Sequence, residues 1–220
     1  MRYWVNLFFA GTVVGSLLGC GEAKGDRHNV VFEEELQAGA DGALEPNTLL
    51  LQQKAQALTL YARQRQCNSQ TAILIDLGLH SGAYRCFVIN LADGSIRRQG
   101  LVTHGSGKTG LAAGERKYSN ENGSLLSLLG RYRIGAAYQG QFGLAYKLYG
   151  LDSTNSAAYV RAIVLHGHEC VPDMPAQNMI CQSWGCPTVS PAFLLTLVQV
   201  INASQKPMLM EIFDSSLATL

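Results

Sequence analysis

Charge is scarce in this 220-residue chain: 17 basic and 16 acidic side chains leave a net charge of +1. A balance this even provides no electrostatic footing for nucleic acid or for an acidic membrane surface. No apolar run reaches the about 20 residues that a comfortable membrane span needs. There is no internal repeat, and none of the six cysteines forms a Cys-x-x-Cys pair. The phosphate-binding P-loop is also incomplete. "GSGKT" at 105–109 resembles its end, but the motif needs Gly five residues before its second Gly, and Val102 stands there. The segment reads as a Gly-rich hairpin loop.

What is present begins at the N-terminus, with "MRYWVNLFFAGTVVGSLLGCGEAK". Arg2, a short apolar core from Val5 to Leu18 and a small-residue cleavage point have the layout of a secretory signal. "LLGC" resembles the lipobox of bacterial lipoproteins, so residues 1–19 read as signal peptide and Cys20 as the lipidated new N-terminus. Gly21 is not the Asp that commonly retains lipoproteins in the inner membrane. The expectation is therefore an exported, periplasmic lipoprotein, outer-membrane anchored if the source is Gram-negative. Cleavage leaves about 200 residues, the size of one domain. Export also changes the cysteine arithmetic, because thiols outside the cytosol tend to pair. Setting Cys20 aside leaves Cys67, Cys86, Cys170, Cys181 and Cys186. The odd count requires at least one free thiol.

Residues 20–46 carry Gly, Ala and charge with little periodicity and read as a flexible tether. In residues 47–66, apolar positions recur at Leu51, Ala55, Leu58 and Ala62, a helical stripe capped by Asn47 or Thr48. This helix is expected to pack on the domain at 67–220. Strands then dominate: "TAILIDL", "YRCFVIN", "SIRRQGLVTH", "RAIVLH" and a closing "MLMEIF". Glycines and tyrosines between 100 and 150 suggest further hairpins and long loops. "SPAFLLTLVQVI" is a helix with Ser190 as N-cap and Pro191 at its first position. The fold class is mainly β with a few helices.

The chemistry concentrates in "HGHECVPDMPAQNMICQSWGCP" at 166–187. His166, His168, Cys170, Cys181 and Cys186 include both ligand types that zinc prefers, but His-x-His-x-Cys is not a standard zinc spacing. No metal site is expected. A nucleophile fits better. Gly185 before Cys186 permits a tight backbone, whose N–H groups can face a developing oxyanion. His166, at the end of a strand, can take the thiol proton. A buried structural cysteine is the competing reading of these residues.

"RAIVLHG" followed by "SWGCP" resembles the active-site pair of the L,D-transpeptidase (YkuD-like) family, in particular its murein L,D-transpeptidase catalytic domain branch. "IDLGLHSGAYR", "VTHGSG", "YSNENGSLLSLLGRY" and "YQGQFGLAYKLYGLDSTN" resemble that branch in order and spacing, so the likeness runs from Ile73 to Phe213. Better-known branches have His before the Gly-Cys and often Asn or Arg two residues after the Cys. Those positions hold Trp184 and Thr188 here.

The resemblance implies a YkuD-like β-sandwich and acyl transfer on peptidoglycan stem peptides, with no cofactor. Cys186 is then the nucleophile and His166 the base. The Gly167 carbonyl orients the other ring nitrogen, and the amides of Cys186 and Gly185 receive the oxyanion. Ser183 is expected to hydrogen-bond within the loop and Trp184 to pack beneath it, with lining the stem-peptide groove as its alternative. Arg161 and Asn155 hold loops or meet a substrate carboxylate; His104 is a loop or groove residue. Three functions stay open: transpeptidation, hydrolysis as an L,D-carboxypeptidase or endopeptidase, and peptidoglycan binding without turnover. For the thiols, the odd count in an exported chain motivates Cys170–Cys181 and Cys67–Cys86 bridges with Cys186 free. Four cysteines allow three such connectivities.

Overall fold

The computed structural model describes residues 45–112 and 114–217. The expected signal peptide, Cys20 and nearly all of the expected tether lie outside the described residues. Helix α1 (Thr48–Gln64) opens with the Asn47 side chain accepting from the Leu50 amide at 3.0 Å. Its buried positions are Leu51, Ala55, Leu58 and Ala62, the stripe expected from the spacing. Eight strands follow: β1 (Thr71–Asp76), β2 (Cys86–Asn90), β3 (Ile96–Gly100), β4 (Gly130–Gly140), β5 (Gly143–Gly150), β6 (Val164–Gly167), β7 (Thr188–Val189) and β8 (Leu209–Phe213). Helix α2 (Pro191–Asn202) lies between β7 and β8, with Ser190 Oγ accepting from the Phe193 amide.

The strands form one sheet in the order β3-β2-β1-β8-β4-β5-β6-β7. Just past β3, Val102 bridges to Val189 on β7, and the Thr103 amide donates to the Thr188 carbonyl at 2.9 Å. The two edges of the sheet therefore meet, and the sheet curls around a core. Strand alternation sorts the side chains between its faces. Ile73, Ile75, Val88, Met210 and Ile212 join Tyr132, Tyr146, Leu148, Leu165 and Leu197 of α2 on the inner side. Ala72, Leu74, Phe87, Ile89, Leu209 and Phe213 face outward and are covered by the α1 stripe. Leu58 is fully buried there, and its truncation to Ala costs about 3 kcal/mol. The helix thus seals the second face of the sheet.

The same alternation corrects one expected bridge. Cys86 lies on the inner face and Cys67 in the outer cluster, so the sheet stands between them. Both are free thiols, because a disulfide needs its two Cβ atoms on one side and within about 4.5 Å. Cys170 and Cys181 do form a disulfide, and Cys186 is free. No helix among the described residues is long and apolar enough to cross a membrane.

Candidate active site

The site lies where the sheet edges meet. Alternation along β6 turns Leu165 into the core, while His166 reaches a cavity of about 240 Å³. Cys186, half-buried, lines the same cavity with Thr103, Phe142, Ser183, Trp184 and Thr188. The register aligns His166 with Thr188 on β7. Two residues twenty positions apart are thus brought together by a parallel strand pair that the 168–187 loop connects.

The His166 ring is fixed on three sides. Its Nδ1 lies 3.1 Å from the Gly167 carbonyl. A carbonyl can only accept, so Nδ1 carries the proton and the neutral ring keeps its lone pair on Nε2. Nε2 lies 3.0 Å from Thr188 Oγ1. Phe142, from the β4–β5 turn, stacks on the ring with centroids 4.9 Å apart and also meets His168 edge-on. Burial is the main reason the His166 pKa lies below the ordinary value, with His168 adding to it and the Gly167 carbonyl opposing.

Cys186 is held by the loop that precedes it. Gly185 adopts φ +109, and a Cβ there would stand 2.6 Å from the Leu126 carbonyl oxygen and 3.2 Å from Arg161 Nη2. Only glycine fits. The Cys186 carbonyl accepts from Ser183 Oγ at 2.6 Å and Thr103 Oγ1 at 3.2 Å. Ser183 also pairs with the 104–106 segment through its backbone. Its Oγ accepts from the Gly185 amide at 3.2 Å. That amide is therefore engaged, contrary to its expected oxyanion role. The Cys186 amide finds no acceptor among the described residues and stays available. The thiol itself donates to the Ala162 carbonyl across 3.9 Å. Burial pushes its pKa up, and the Val164 backbone hydrogen bond and the nearby Arg161 cation oppose this.

The supporting residues divide by geometry. Arg161 donates to the carbonyls of Ser119 and Leu126. It ties the β3–β4 connection to its own loop, and its charge stands near Cys186. Asn155 is buried and holds Arg131 and Asp152 backbone groups. Trp184 is 71% exposed and borders the cavity. The packing expected beneath the loop does not form. His104 is buried, with Nδ1 3.1 Å from Arg85 Nη2 and Nε2 facing Gln182. Desolvation and the cations of Arg85 and Arg116 lower its pKa to about 4. His104 therefore braces a buried arginine and does not line the cavity. Cys170 and Cys181 are consumed by their disulfide and offer no thiolate to a metal. Phe142 and Arg85 carried no sequence signal of their role: one is a hairpin-tip aromatic, the other a cation fully enclosed by backbone carbonyls and His104.

Residues 44–209 match the family described as L,D-transpeptidase catalytic domain. The chain belongs to that family. Among solved structures it is similar to the helical cell shape determining protein Pgp2 from Campylobacter jejuni, at 14% identity over 66% of this chain and 47% of that one, TM-score 0.40. It is also similar to the Ldtfm-avibactam carbamoyl enzyme, at 13% identity over 66% and 49%, TM-score 0.38. A third is L,D-transpeptidase 1 of Mycobacterium tuberculosis, at 12% identity over 65% and 62%, TM-score 0.32. The chain spans about half the length of the first two. No curated protein sequence matches the chain.

Proposed function

We propose that this chain is a murein L,D-transpeptidase working through a thioester on Cys186. The observation that carries the reading is the pairing, in one cavity, of a free cysteine with a histidine whose Nδ1 is tied to the Gly167 carbonyl. That tie keeps the ring proton on Nδ1 and leaves the lone pair on Nε2 to take the thiol proton. The thiolate attacks the carbonyl of the third residue of a stem peptide, at its L-centre, and the oxyanion meets the Cys186 amide. The tetrahedral adduct collapses with cleavage of the bond to the terminal D-amino acid, whose amine takes the proton from His166. An amine of a neighbouring stem then attacks the thioester, His166 accepts its proton, and the sulfur leaves as the thiol. Water in place of that amine makes the enzyme a carboxypeptidase or endopeptidase. Trp184 borders the groove through which the acceptor enters. The protein works at the cell wall as an exported lipoprotein held to the membrane by Cys20.

The test is mass spectrometry of a tetrapeptide muropeptide incubated with the purified domain. A cross-linked dimer supports transfer. A tripeptide alone assigns hydrolysis. Recovery of unchanged tetrapeptide bound to the protein assigns binding without turnover.

A further inference from the structure

His166 Nε2, the atom that must take the thiol proton, is not bare in the resting site: Thr188 Oγ1 lies 3.0 Å from it. The direction of that hydrogen bond follows from its neighbours. Nδ1 holds the ring proton because the Gly167 carbonyl can only accept it. Nε2 is then an acceptor, and the Thr188 hydroxyl must donate. The hydroxyl has one other acceptor nearby, the Cys186 carbonyl at 3.4 Å. That carbonyl already receives Ser183 Oγ and Thr103 Oγ1, which favours the ring in the resting state. The Thr188 backbone is fixed independently: its amide donates to Thr103 Oγ1, and its carbonyl accepts from the Thr103 amide. Oγ1 is therefore held in place while its proton is free to turn.

We propose that Thr188 is the positioning residue of the base, holding the Nε2 edge of His166 in both of its charge states. When the ring is neutral the hydroxyl donates to Nε2. When the proton of Cys186 Sγ moves to Nε2, the hydroxyl proton rotates to the Cys186 carbonyl, and Oγ1 accepts from the new Nε2–H. No bond other than S–H and N–H changes. The imidazolium is thereby met by an acceptor in a buried site. Hydrogen bonds to charged groups are about twice as strong as neutral ones, so Thr188 favours the thiolate–imidazolium pair over the neutral pair. Other groups set the background. Cys186 faces Arg161 and the phenol of Tyr132. His166 faces His168 and Phe142. Helix α2, packed behind β6, has no ionisable side chain. This inference rests on the proposed roles of Cys186 and His166.

The test is the pH dependence of Cys186 alkylation by iodoacetamide in the wild type, Thr188→Val and Thr188→Ser. Valine keeps the shape and removes the hydroxyl. Its alkylation profile should move to higher pH, with the rate at pH 7 down about tenfold, the difference between a charge-assisted and a neutral hydrogen bond. Serine should restore the wild-type profile to within about threefold. A valine variant with the wild-type profile overturns the proposal, as does one that alkylates faster at pH 7 or a serine variant that behaves like valine. If the valine variant does not fold, nitrogen NMR of the wild-type imidazole decides: neutral His166 must carry its proton on Nδ1, and an Nε2–H tautomer overturns the scheme. Alkylation needs no muropeptide. Wild-type protein that alkylates as expected but fails on muropeptide defeats the transpeptidase reading alone, whereas active enzyme with an unmoved valine profile defeats this inference alone.

Discussion

Gly185→Ala isolates what the loop before Cys186 requires. Two costs add at this position. An L-residue in the left-handed region is strained by about 1–2 kcal/mol. The new Cβ would also press on the Leu126 carbonyl at 2.6 Å and on Arg161 Nη2 at 3.2 Å. Those two atoms are donor and acceptor of the 2.7 Å Arg161–Leu126 hydrogen bond, and a hydrogen bond to a charged group contributes about 1.5–3 kcal/mol. The total is about 3 kcal/mol, or a melting temperature lower by about 10 °C for a domain of this size. Gly123→Ala is the control. Its φ is +73, but nothing lies within 4 Å of the added atom. Only the strain remains there, about 1 kcal/mol and about 3 °C. Activity should separate the two further, because a shift of about 1 Å in Cys186 costs about a hundredfold in turnover. Thermal unfolding by circular dichroism and muropeptide turnover measure both. Equal melting temperatures for the two variants, or full turnover by Gly185→Ala, would refute the steric argument.

Cys186→Ala should abolish turnover with the melting temperature unchanged, and Cys186→Ser should be nearly as inactive because a hydroxyl is a much poorer nucleophile beside this base; turnover of muropeptide by the alanine variant would falsify the assignment. Opening the Cys170–Cys181 bridge, by a Cys170→Ser, Cys181→Ser double variant, should cost about 3 kcal/mol in the chain-entropy model, read as a lower denaturant midpoint that added reductant no longer changes. His104 is held neutral with its pKa at about 4, below the about 6.5 of an unfolded histidine. The unfolded state therefore binds the extra proton first: the contribution is complete above pH 6.5 and is lost as pH falls through 4, up to about 3 kcal/mol. His104→Gln should flatten that part of the stability–pH curve, and an unchanged acid limb would remove His104 as its source. A tagged fatty acid should label the wild-type chain in cells and not Cys20→Ala; unlabelled, soluble wild type would defeat the anchor.

Elements with strong periodicity were legible in the sequence. The 51-55-58-62 stripe of α1, the Asn47 and Ser190 caps and the apolar runs of β1, β2, β6 and β8 follow from local spacing alone. The order of strands does not, because β8 enters beside β1 from more than 130 residues away. The Cys67–Cys86 pairing failed for the same reason. Closeness in sequence says nothing about which face of a sheet a side chain occupies, and Cys86 took the Ile73–Ile75–Val88 face while Cys67 joined α1. The residues around the nucleophile were visible as types, but their tasks depended on contacts across the closed sheet edge. Trp184 was expected under the loop and lies outside it. Thr188 stood out only as a departure from the residues that better-known branches carry there, and its hydroxyl lies 3.0 Å from His166 Nε2.

The resting chemistry suits a thiol that must resist oxidation. Burial raises the Cys186 pKa and lowers that of His166, so near pH 7 both groups are neutral. A neutral thiol is a poor partner for oxidants and for disulfide exchange, since the thiolate is the reactive form. The two other free thiols among the described residues are protected further. Cys67 is buried, and Cys86 is fully enclosed with its pKa pushed up to about 12. The remaining pair, Cys170 and Cys181, is already oxidised and cannot compete as thiolate. In the proposed transfer of the Cys186 proton to His166, the Val164 amide and Arg161 favour the thiolate, and Thr188 Oγ1 accepts a hydrogen bond from the imidazolium. This gives a direct expectation for the folded protein: native alkylation should mark Cys186 alone, and denaturation without reductant should reveal Cys67 and Cys86 in addition. Peptide mapping reads both states, and native labelling of Cys67 or Cys86, or a bridge between them, would break the argument.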